Sequence, residues 1–160
     1  MTKTLVAYFS ASGSTKNVAQ NLSQILNANL YEIKPEKEYT NADLNWMDKN
    51  SRSTIEMRDK TSRPQIINDD AKIADYDTIF LGFPIWWYVA PTIVNTFLEK
   101  YDFSDKKIVL FATSGGSGFG NTVKELKPSV DESCEIIEGK ILKADSDAVT
   151  LKSWLEGLNL

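Results

Sequence analysis

Leu5-Val6-Ala7-Tyr8-Phe9-Ser10-Ala11-Ser12-Gly13-Ser14-Thr15-Lys16 joins an apolar run to a hydroxyl-rich turn. Leu5–Phe9 is an uninterrupted apolar run, as expected of a strand covered on both faces. Beyond the turn, Val18, Leu22, Ile25 and Leu26 recur at helical spacing. A buried strand therefore runs into a hydroxyl-rich turn, and the turn opens a helix. The first amides of a helix lack an internal partner and carry partial positive charge. Ser10, Ser12, Ser14 and Thr15 add hydroxyl donors there, and Gly13 lets the backbone approach a ligand without a Cβ in the way. Together they predict a phosphate cradle. A helix cap needs one hydroxyl; four within six residues exceed that need.

Two better-known phosphate motifs are absent. No Gly stands four residues ahead of a Gly-Lys-Ser/Thr, so the turn is not a nucleotide-triphosphate P-loop. Gly118 and Gly120 have the first spacing of a dinucleotide fingerprint, but Val123 occupies its third position.

A length of 160 residues predicts a single domain spanning 1–160. The net charge of −4, with no basic run, argues against nucleic acid as a partner. The chain has one cysteine, Cys134, and no histidine. Intrachain disulfides, cysteine-held clusters, histidine-containing metal sites and histidine base catalysis are thereby excluded. Cys134 precedes Glu135-Ile136-Ile137 and reads as a small packing residue on a strand. A reactive thiol is the alternative, but no electropositive neighbour stands beside it in sequence. No segment is long enough to span a membrane and the start resembles no secretion signal, so no membrane insertion and a cytoplasmic location are expected.

Strand and helix patterns alternate. Strands are expected at Thr4–Phe9, Leu30–Ile33, Thr78–Gly82, Ile108–Ala112 and Glu135–Lys143, the last interrupted at Glu138-Gly139. Helices are expected at Thr15–Leu26, within Asn41–Asp59, and at Pro91–Lys100, Asn121–Leu126 and Asp147–Leu158. Pro91 would sit in the first turn of its helix, Pro128 would close the fourth, and Ser146 would cap the fifth. Trp46, Ile55 and Met57 suggest a helix packed on the sheet, although 34–64 has poor periodicity. The alternation predicts an α/β fold with a doubly wound five-stranded parallel sheet and helices on both faces. Ligands of such sheets bind beyond the carboxyl ends of the strands. The loops after the first, third and fourth strands should therefore converge.

The loop after the third strand reads Gly82-Phe83-Pro84-Ile85-Trp86-Trp87-Tyr88-Val89-Ala90-Pro91. Adjacent tryptophans between prolines, at a strand's carboxyl end, predict a flat conjugated ligand, and the prolines limit the entropy lost on binding. The loop after the fourth strand, Thr113-Ser114-Gly115-Gly116-Ser117-Gly118-Phe119-Gly120, offers free amides and little bulk to the edge of a heterocycle. One phosphate, one flat ring and one acceptor-rich edge together describe flavin mononucleotide, FMN. FAD fits less well, because the first loop reads as a terminal phosphate pocket.

Over its whole length the chain resembles flavodoxin-like FMN proteins, short-chain flavodoxins in particular. Their first loop has the form Ser/Thr-x-Thr-Gly-x-Thr, which Ser10, Ser12, Gly13, Ser14 and Thr15 fill with Ser12 in place of Thr. The resemblance implies the flavodoxin strand order 2-1-3-4-5, with FMN at the switch point between strands one and three. It implies cofactor contacts from Ser10, Ser12, Gly13, Ser14 and Thr15, from Pro84, Ile85, Trp86 and Trp87, and from Thr113, Ser114, Gly115, Gly116 and Gly118. Two features depart from the family's electron carriers. Those usually have a glycine in the loop after the third strand, whose peptide flips to meet N5 of the reduced flavin; none lies between Phe83 and Pro91. Carriers are also strongly acidic around the flavin, whereas 41–64 holds four acids and five bases.

Three functions follow. A small FMN electron carrier would serve redox partner proteins. An FMN enzyme would take hydride from NAD(P)H and reduce a quinone-like acceptor. A non-redox binding domain would have kept the fold without the function. The short chain and the missing dinucleotide motif put low-potential electron transfer first.

Overall fold

The computed structural model describes residues 3–11, 13–67, 69–114 and 116–158. Among these, β1 (Thr4–Tyr8), β2 (Asn29–Glu32), β3 (Thr78–Pro84), β4 (Lys107–Thr113) and β5 (Glu135–Ile141) form one parallel sheet in the order β2-β1-β3-β4-β5. They alternate with α1 (Ser14–Leu26), α2 (Arg52–Arg58), α3 (Thr92–Lys100), α4 (Thr122–Leu126) and α5 (Ala148–Gly157). This is the doubly wound fold that the alternation predicts, with the strand order that the family resemblance implies.

Strand periodicity divides the core between the two faces of the sheet. Leu5, Ala7, Ile79, Leu81, Ile108 and Leu110 pack on one side with Ile93, Phe97 and Leu98 of α3 and Leu126 of α4. Val6, Tyr8, Phe80, Val109 and Phe111 pack on the other with Val18, Ala19 and Leu22 of α1 and Leu151 of α5. β1, β3 and β4 are thus buried on both faces, which is why their sequences are nearly continuous apolar runs. Among the described residues no helix is long and apolar enough to cross a membrane.

Four local expectations need correction. β5 is not broken at Glu138-Gly139. Its register shifts between Val109↔Ile137 and Phe111↔Lys140, so one extra residue bulges there while the strand continues. A Cβ on Gly139 would lie 1.9 Å from the Leu110 carbonyl oxygen, so the bulge needs a residue without a side chain. Asp147, not Ser146, caps α5, accepting from the Thr150 amide at 2.8 Å, while Ser146 Oγ accepts from the Lys143 amide at 3.0 Å. Pro91, at ψ 146°, is extended and stands just ahead of α3. The helix within 41–59 is confined to Arg52–Arg58, behind a Ser51 cap. Trp46 (68% exposed) and Ile55 project to solvent instead of packing on the sheet, while Met57 is half-buried.

Candidate functional site

The sheet brings the three predicted loops to its carboxyl edge. Phe9 donates its amide to the Gly82 carbonyl at 2.9 Å, and Ile85 donates to the Thr113 carbonyl at 2.8 Å. The β1–β3 and β3–β4 ladders thus carry on into the loops and fix their spacing.

At the β1 end, Gly13 caps α1 with φ +96°, a left-handed conformation that favours glycine, and an added Cβ would meet nothing within 4 Å. Its amide donates to Ser10 Oγ at 3.1 Å, which closes the turn. The Asn17 amide reaches back to the Gly13 carbonyl at 3.1 Å, and the amides ahead of it have no acceptor within the helix. Ser10 and Gly13 line a cavity of about 240 Å³ together with Lys16 and Lys34 and with Glu32 and Glu38, while Ser14 and Thr15 are not part of its lining. Ser14 opens α1 and is half-buried. Thr15 is buried, and its hydroxyl bonds that of Thr113 at 2.8 Å, joining the loops after β1 and β4.

A larger cavity of about 720 Å³ opens beside it. Ala11 of the first loop, Pro84, Ile85, Trp86, Trp87 and Tyr88 of the second, and Ser114, Gly116 and Ser117 of the third all line it. Gly118 is exposed and is not part of that lining. Ser12 and Gly115 lie outside the described residues.

The two tryptophans do different things. Trp86 is half-buried and packs edge-on against Phe9 (5.7 Å between ring centres) and Tyr39 (5.4 Å). Trp87 is 40% exposed at the cavity. Trp86 and Val89 exchange amide–carbonyl bonds at 2.9 and 3.1 Å, so Trp87-Tyr88 form a two-residue hairpin turn. Both have positive φ, 49° and 69°, a combination usually met by Asn-Gly. Non-glycine residues resist positive φ, yet the structure holds two of them there, in the loop where the sequence has no glycine. Gly120 backs this turn at φ +54°, where a Cβ would lie 2.5 Å from the Tyr88 carbonyl oxygen.

Sequence reasoning missed a fourth wall. Leu44, Trp46 and Ser53, all from the β2–α2 connection and the start of α2, line the same cavity. The connection is tied down. Thr40 and Asp43 exchange amide-to-side-chain bonds at 2.9 and 3.1 Å, and the Ser53 amide donates to the Asp43 carbonyl at 2.9 Å. The Arg52 guanidinium lies 3.8 Å over the Tyr39 ring, and its Nε donates to Glu56 at 2.9 Å. Burial, reinforced by the hydrogen bond to Glu56, holds the Tyr39 phenol protonated well above its usual range. Trp46 in an otherwise polar stretch is the available signal, but with Ile55 and Met57 it reads as the face of a helix packed on the sheet and not as a cavity wall.

The flavodoxin family profile matches residues 3–158. The chain belongs to the flavodoxin family. A structure from Bacteroides uniformis described as a flavoprotein is 45% identical, with 97% of this chain and 98% of that one covered and a TM-score of 0.88. A second, from Bacteroides eggerthii, is 40% identical with 100% and 99% covered and a TM-score of 0.89. A Lactobacillus acidophilus flavoprotein in complex with FMN shares the fold at 24% identity, with 97% and 99% covered and a TM-score of 0.71. No curated protein matches the chain.

Proposed function

We propose that this flavodoxin-family protein binds FMN at the carboxyl edge of its sheet and works in low-potential electron transfer. The observation that carries the reading is the adjacency of two unlike sites: an open glycine-capped helix start, and a wide cavity walled by Trp87, Ser114, Gly116 and Ser117. The first suits a phosphate and the second a flat ring, and FMN is one molecule with both. The Lactobacillus acidophilus relative in complex with FMN supports the same assignment.

The residues fit the cofactor. Ser10, Gly13, Ser14 and Thr15, with Ser12, would hold the phosphate through hydroxyls and the first amides of α1. Pro84, Ile85 and Trp87 would cover the ring, and Ser114 and Gly116 would face its polar edge. Trp86, which also lines the cavity, would brace that wall through its edge-on contacts with Phe9 and Tyr39. Bound FMN supplies reversible uptake of one or two electrons. Aromatic walls and a low local dielectric disfavour added negative charge on the ring, which lowers the potential. The fixed loops orient the ring and keep water from its covered parts.

The cavity's size favours a second reading, reduction of a quinone-like acceptor at the expense of NAD(P)H, since about 720 Å³ leaves room beside the ring. Anaerobic reduction of the FMN-loaded protein, followed by mixing with a one-electron acceptor or with NAD(P)H and a quinone, separates the two. Electron transfer predicts fast oxidation by the first and negligible turnover with the second. Rapid quinone turnover would overturn it.

A further inference from the structure

Ser53 Oγ is the one buried side-chain polar atom among the described residues without a hydrogen-bond partner, in a residue 2% exposed. Buried polar atoms are nearly always paired, so an orphan at a cavity wall calls for a ligand. Its neighbours are satisfied: Ser51 and Thr54 bond each other at 2.8 Å, and Ser62 bonds Thr92 at 2.8 Å. Ser53 lines the large cavity, as does Trp46, which is 68% exposed. Neither residue belongs to the three loops that the sequence assigned to the cofactor. Both sit on a segment whose hydrogen bonds hold it in place, so this wall stands ready for a ligand.

We propose that the β2–α2 connection, with the first turn of α2, is a fourth element of the FMN site, in which the Ser53 hydroxyl donates a hydrogen bond to an acceptor atom of the flavin ring and Trp46 covers part of that ring. The ring, not the phosphate, is the partner. Ser53 and Trp46 share their cavity with Trp87 and Ser114, whereas the helix start of Ser10 and Gly13 lines the other one. The proposal rests on the FMN reading.

Apoprotein of the full chain, titrated with FMN and with riboflavin, tests it. Ser53→Ala should weaken both ligands by the same factor, about tenfold, and Ser53→Thr, which keeps the hydroxyl, should recover much of that loss. Removing an unpaired buried hydroxyl should leave the unfolding midpoint of the apoprotein unchanged or raised. Trp46→Phe, at an exposed position that folding does not need, should reduce the quenching of protein fluorescence by bound FMN. Wild-type affinity for FMN in Ser53→Ala, or a loss confined to FMN with riboflavin unaffected, would overturn the proposal. Absence of FMN binding by the wild-type protein would instead overturn the cofactor reading beneath it.

Discussion

Single residues carry constraints that binding and stability measurements can read. Tyr88 is 70% exposed at φ 69°, so its side chain contributes little packing while its backbone is strained. Tyr88→Gly should stabilise the apoprotein by about 1 kcal/mol, read from urea unfolding, because glycine accepts left-handed geometry freely. A destabilised variant would mean that the tyrosine ring packs more than its exposure indicates. Cys134 is a quieter case. Burial first, then Asp131 and Glu135, push its thiol up to about 11. The nucleophilic thiolate is therefore scarce at neutral pH, and alkylation by iodoacetamide should rise only as pH climbs toward that value. Fast modification at pH 7 would contradict the packing role and revive the reactive-thiol alternative.

Elements differ in how much of themselves the sequence discloses. β1, β3 and β4 were legible because burial on both faces forces apolar runs, and α1 because its inward face repeats at helical spacing. The bulge in β5 was misread as a break, since a glycine needed for close packing looks in sequence like a glycine that ends a strand. Gly139→Ala should therefore cost about 1–3 kcal/mol, since a methyl group has no room beside the Leu110 carbonyl and the Trp154 ring; a neutral effect in thermal unfolding would argue against the bulge. The β2–α2 connection was the least legible element. It is held by Thr40, Asp43 and Arg52 through hydrogen bonds and a cation over a ring, and such contacts leave no periodic trace. Trp46 and Ser53 were missed for that reason. The separate fates of Trp86 and Trp87 were equally hidden, because adjacent residues of one turn look alike until the turn's geometry is known.

At the scale of the whole molecule, the doubly wound sheet places the open start of α1 and a wide cavity side by side, the adjacency from which the proposed function is argued. Trp154 packs on Phe80 on the α1–α5 face and does not line the cavity, so Trp154→Phe should leave the quenching by FMN nearly intact. Loss of quenching in that variant would put the ring at the wrong part of the sheet. Calorimetric titration of the apoprotein with FMN and, separately, with riboflavin tests whether one ligand spans both sites. Both should bind one-to-one, with FMN tighter by about tenfold or more, because charge-assisted hydrogen bonds to the phosphate contribute roughly 1.5–3 kcal/mol each. Equal affinities for FMN and riboflavin would contradict it, since the open start of α1 would then be holding nothing.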